Sequence, residues 1–356
     1  MGKKLAEVTA LLTLLPVVGL LAGCGGDGGQ EESEAAGTEE EVVNVYSHRH
    51  YESDQELFDQ FTESTGIDVN VVTGSADELI TRLENEGADS PADVLITVDA
   101  GRLHRAKSRN LLQAVESEVL RENVPTHLRD RDNQWFGLTR RARIVVFDRE
   151  RVDSTNLSTY EALAEPQWDD RILIRSSSNV YNQSLLASLI AHHGAEQAEE
   201  WAGSIVENMA RGPSGGDTDQ IEGVAAGVGD VAVVNTYYVA RLAASDNPDE
   251  RRVAEAVGVF FPNQDGRGAH VNVSGAGVTR NAPNPDNAVR LLEFLTGDAA
   301  QRVFAQANHE YPVKSGVEWS EPLQQWGEFV ADTLDLTVLG ENNMLAVRIF
   351  DRVGWQ

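Results

Sequence analysis

Two hydrophobic rhythms alternate along the chain. Residues 42–46 (VVNVY) form a short apolar run of strand type, and Leu57, Phe58 and Phe61 then recur at helical spacing. Ser53-Asp54-Gln55-Glu56 has the spacing of a capping box and is expected to open that helix, which Gly66 can end. Ile67, Val69 and Val71 alternate as a second strand, and Ser75 and Glu78 repeat the cap spacing ahead of Leu79 and Leu83. Residues 92–97 (ADVLIT) read as a buried strand. Further apolar runs follow at 141–147 (RARIVVF), 171–175 (RILIR), 231–235 (VAVVN) and 270–278 (HVNVSGAGV), with Ala- and Leu-rich helical stretches such as 185–192 among them. Strands separated by helices predict an α/β fold with mainly parallel sheets. A length of 356 residues predicts two domains.

The first residues follow another logic. Lys3 and Lys4 precede an apolar stretch, residues 10–21, too short to span a bilayer comfortably. It ends in Leu21-Ala22-Gly23-Cys24, which resembles a bacterial lipobox. Residues 1–23 are therefore read as a lipoprotein signal peptide, with Cys24, the only cysteine, as the lipidation site. Residues 24–41 are rich in Gly and acid and read as a flexible tether. A soluble domain held at a membrane surface outside the cytoplasm follows from this reading.

Charge narrows the partners. With 29 basic against 57 acidic residues the formal net charge is −28, which excludes the basic stripe that nucleic acid requires. An acidic excess of this size is expected of a halophile's protein, since salt screens the self-repulsion. No P-loop, GxGxxG after a strand, HExxH, GxSxG or CxxC occurs, so the common enzyme signatures are missing. Gly212-Pro213-Ser214-Gly215-Gly216 lacks the Lys-Ser/Thr of a P-loop and reads as a loop. The chain is expected to be a non-enzyme.

The tyrosines carry the candidate chemistry. Of seven, four follow an apolar strand and enter a helix: Tyr51 in YSHRHYESD, Tyr181 in SSSNVYNQSLL, and Tyr237 and Tyr238 in NTYYVARL. Ligands of open α/β sheets bind outside the carboxyl ends of strands. Phenols together with the imidazole of His50 suit a hard, highly charged cation, and Fe(III) is the natural candidate. The bland alternative is that these are ordinary half-buried aromatics with their hydroxyls bonded nearby. His48 reads as a surface residue or a sixth ligand. His192 and His193 close a helix, where cations suit the dipole. Arg141 and Arg143 alternate onto one face, where one can reach an anion or a tyrosinate while the other pairs with a surface acid.

At these residues the chain resembles the periplasmic ferric-ion-binding proteins of ABC importers, in the branch with a His-Tyr pair near the start. YSHRHYESD, WFGLTRRARIVVF, SSNVYNQSLL, NTYYVARL and GRGAHVNVSGAGV occur in family order from about Val42 to Tyr311. The resemblance implies a two-lobe type II periplasmic-binding-protein fold, each lobe a mostly parallel sheet flanked by helices, with the ion in the cleft. Carried over by motif, the metal ligands are His50, Tyr51, Tyr181, Tyr237 and Tyr238. Arg141 would bind a synergistic anion such as carbonate or only screen phenolate charge. His48 stands where a small residue is expected. The 141–147 strand would leave the first lobe and the 270–278 strand return to it, with Asn272 and Ser274 near the hinge. Lobe 1 would comprise 42–141 and 273–316, and lobe 2 would comprise 142–272 and 317–356. The implied role is capture of Fe(III), or of a small ferric chelate, by a monomer that delivers it to an ABC permease. The alternative on the same fold is an organic cation such as a polyamine or a thiamine-like solute, caged by aromatic walls.

Overall fold

The computed structural model describes residues 41–356; the expected signal peptide, Cys24 and nearly all of the tether lie outside them. Nine strands form a continuous curled sheet. They are β1 (Val42–Ser47), β2 (Asp68–Thr73), β3 (Val94–Thr97), β4 (Phe136–Asp148), β5 (Ile172–Leu173), β6 (Val231–Asn235), β7 (Val257–Phe260), β8 (Val271–Val278) and β9 (Tyr311–Pro312). Their order is β2-β1-β3-β8-β4-β6-β5, with β7 and β9 paired to β4. Helices α1 (Glu52–Thr65), α2 (Ala76–Glu86), α3 (Ala100–Ser108), α4 (Glu118–Asn123), α5 (Val180–His193), α6 (Ala195–Glu207), α7 (Asp217–Ala225), α8 (Thr236–Ala244) and α9 (Pro248–Ala256) connect the strands up to β7.

The strand β4 sets the architecture. Its first part pairs antiparallel with β8, from Phe136 opposite Ala276 to Ala142 opposite Val271. Its second part pairs with β6, from Arg143 opposite Asn235 to Phe147 opposite Val231, and with β7. The change of partner between Ala142 and Arg143 makes β4 a crossing strand. Parallel pairing holds within each flank, for β1 with β2 and β3 and for β5 with β6, while the crossing strands pair antiparallel. The strand is longer than its apolar run because Phe136 to Arg140, although polar in part, is buried almost throughout.

Period-2 alternation then divides the core. Ala142, Ile144 and Val146 face one buried cluster with Leu173, Ile221 and Val234, whereas Val145 and Phe147 join the larger cluster that contains β1, β3, α1 and α5. β3 is buried on both faces, as its continuous apolar run requires.

Local capping matches the sequence at α2, where Ser75 and Glu78 form the reciprocal box, worth about 1 kcal/mol. It differs at α1. That helix starts at Glu52 with Tyr51 as N-cap, not at Ser53, because Asp54 reaches back to the Tyr51 N–H while the Ser53 hydroxyl donates to Asn308 at 2.8 Å. Gly66 ends α1 at φ 75°, in the left-handed region. The 212–216 segment is a loop, as expected. Among the described residues no helix is long and apolar enough to cross a membrane.

Candidate metal centre

Three strand-to-helix junctions build the site. Tyr51 is the N-cap of α1, Tyr181 is the second residue of α5, and Tyr237 and Tyr238 are the second and third residues of α8. Each follows an apolar run that fixes a strand and precedes a helix whose first N–H groups have no partner inside the helix. All four phenols therefore sit at the positive end of a helix, where an anionic oxygen is favoured.

The junctions converge. The Tyr237 hydroxyl donates to that of Tyr181 at 3.2 Å, and the rings of Tyr237 and Tyr238 lie 4.3 Å apart. Tyr51, from the opposite flank of the crossing strand, lies close enough to Tyr181 and Tyr238 for their ionisation to disfavour its own, and Tyr237 is coupled to Tyr51 in the same way. Burial holds Tyr51 and Tyr237 well above the usual phenol value. Tyr181 is pushed up to about 12, first by burial, with Arg141 opposing the rise. Without a cation these groups are neutral at pH 7.

His50 is exposed; its ring stacks on Tyr51 with centroids 5.9 Å apart, and its Nδ1 is 3.4 Å from the His48 carbonyl. His48 is half-buried and its Nδ1 has no hydrogen-bond partner; burial lowers its pKa. His192 and His193 face Asp332 and Glu161 instead, each at 2.6 Å. Among the described residues no group of three His, Cys, Asp or Glu side chains has metal-binding geometry.

Guanidinium groups surround the phenols. Arg141, 2% exposed, lies 5.2 Å from the Tyr181 ring centre and donates to the Val98 carbonyl, while its Nη1 has no partner. Arg143 and Arg175 lie 5.9 and 5.8 Å from the same ring, and Arg49 and Arg241 lie 4.9 and 5.9 Å from that of Tyr51. Arg143 pairs with an acid, as alternation allowed, but with a fully buried one: its Nη1 is 2.8 Å from Asp217. Asp217 also accepts from Arg175 at 3.3 Å and from the Asn235 N–H at 2.7 Å. The sequence did not single out Arg49, Arg175, Arg241 or Asp217; Glu310 lies 261 residues from Arg49, and Asp217 lies 42 from Arg175 and 74 from Arg143.

The model of the family described as bacterial extracellular solute-binding protein matches residues 89–329. The chain belongs to that family. Iron uptake protein A1 of Synechocystis is 49% identical over 337 residues, covering 95% of this chain and 93% of that protein. A structure of Trichodesmium IdiA (FutA) in complex with iron and citrate ligands is 50% identical with a TM-score of 0.85, covering 88% of this chain and 100% of that one. The ferric binding protein of Campylobacter jejuni is 41% identical at the same TM-score and coverage. The relatives are solute-binding transport proteins, not enzymes, and share the two-lobe type II fold.

Proposed function

We propose that the protein captures Fe(III) outside the cytoplasm through the phenolates of Tyr51, Tyr181, Tyr237 and Tyr238, with His50 on the solvent side, and delivers it to an ABC permease. The convergence of four phenols from three helix N-termini carries this reading. A trivalent ion supplies the charge needed to expel the phenol protons. The guanidinium groups favour the ferric reading over an organic cation: five of them lie within 6 Å of the Tyr51 or Tyr181 ring, where they offset the surplus negative charge of four phenolates on a trivalent ion, whereas an organic cation among neutral phenols supplies no such negative charge. They also suit the carboxylates of a ferric chelate or a synergistic carbonate, with Arg141 Nη1 among the donors that have no partner.

Cys24 would carry the lipid that holds a monomer near its permease, and the acidic surplus would suit a saline medium. The lobes would divide as 42–141 with 273–316 and 142–272 with 317–356. The partner change in β4 supports the first boundary, and the Arg352–Glu199 ion pair supports placing the C-terminus with lobe 2. Replacing both Tyr237 and Tyr238 by Phe tests the site: iron binding at one equivalent is expected to be lost while the fold persists. Retained stoichiometric binding would move the site elsewhere.

A further inference from the structure

The buried ionic cluster behind Tyr51 lies next to the site but has no role in the ligand set. Arg49 is 3% exposed and two residues before Tyr51. Its Nε and Nη2 grip the Asp54 carboxylate at 2.9 to 3.2 Å, and its Nη1 reaches Glu310 at 2.9 Å. Asp54 is the residue whose carboxylate caps the Tyr51 N–H and whose own N–H donates to the Tyr51 carbonyl at 3.0 Å. Glu310 accepts from Thr139 of β4 at 2.8 Å and from Ser274 of β8 at 3.5 Å, so the cluster is tied to both crossing strands. The guanidinium lies 4.9 Å from the Tyr51 ring centre and 5.1 Å from that of Phe304. One cation thus fixes the backbone turn that carries Tyr51, lies against its ring, and connects both to the strands joining the lobes.

We propose that Arg49 is the positioning residue for Tyr51, setting where this phenol meets the other three through the Asp54 and Glu310 pairs. The inference rests on the ferric reading of the site. A planar guanidinium is required, because Asp54 is held by two nitrogens while a third serves Glu310; an ammonium cannot span that fork.

The test uses Arg49→Lys, which keeps the charge between two buried carboxylates, in the wild-type and Tyr51→Phe backgrounds. Ferric citrate is titrated and followed by tyrosinate-to-iron absorption and by competition with free citrate. In the wild-type background the variant is expected to bind iron about tenfold more weakly, as for loss of other supporting contacts around a metal ligand, and to shift the band toward that of Tyr51→Phe. In the Tyr51→Phe background it should change neither. Equal losses in both backgrounds, or no loss in either, overturn the assignment. Glu310→Gln leaves the Arg49–Asp54 pair intact and serves the same comparison should Arg49→Lys fail to fold. A wild-type protein with no charge-transfer band would overturn the ferric reading itself, an outcome visible before any Arg49 variant is measured.

Discussion

The seven tyrosines occupy two kinds of environment. Tyr46 donates to Glu86 at 2.9 Å, and Tyr160 donates to the Arg143 carbonyl while accepting from the His270 N–H at 3.0 Å. Tyr311 is buried against Trp319 and Phe329. These three brace the fold. Tyr160→Phe leaves a buried N–H and carbonyl without their partner and should cost about 1–3 kcal/mol of stability in denaturant unfolding. Its iron spectrum should equal that of the wild type; a lost band would show that Tyr160 belongs to the site. Tyr181 and Tyr237 of the candidate site bear on the pH dependence of iron binding. Burial raises Tyr181 to about 12 and Tyr237 well above 10, so ferric ligation must release protons, and affinity rises with pH. Calorimetry in buffers of different ionisation enthalpy should count several protons per iron; none would contradict phenolate ligation. The iron-free fold has the opposite sense: the Tyr181 contribution is complete below pH 10 and is lost as pH rises toward about 12.

At the scale of elements, Asp217 at the start of α7 joins the junctions that carry three of the tyrosines. It holds Arg143 on β4, Arg175 ahead of α5 and the Asn235 N–H ahead of α8. Asp217→Ala leaves the Arg143 guanidinium buried without its acid and should cost about 3–5 kcal/mol, measurable by urea unfolding. A loss below 1 kcal/mol would mean that Arg143 finds another partner. The tyrosine junctions were legible because each couples an apolar strand to a helix start, both local patterns. The Arg49–Glu310 and Arg143–Asp217 pairs were not, since 261 and 74 residues separate the partners. The α1 cap was misplaced by two residues, at Ser53 instead of Tyr51, because the Ser53 hydroxyl, which looks like a cap, is taken by Asn308 from a distant helix end.

For the whole molecule, the two-lobe fold was legible from the strand and helix alternation together with the ordered motifs; periodicity alone did not reveal that β4 starts at Phe136 or that its two parts pair with different strands. A net charge of −28 means that the surface attracts iron loosely, so bound metal alone does not identify the site. The decisive observation has to come from the phenols themselves. Visible absorption of the protein titrated with ferric citrate in high salt should show a red-purple tyrosinate-to-iron band that saturates at one equivalent. A folded protein that shows no such band would contradict ferric capture by the tyrosine cluster.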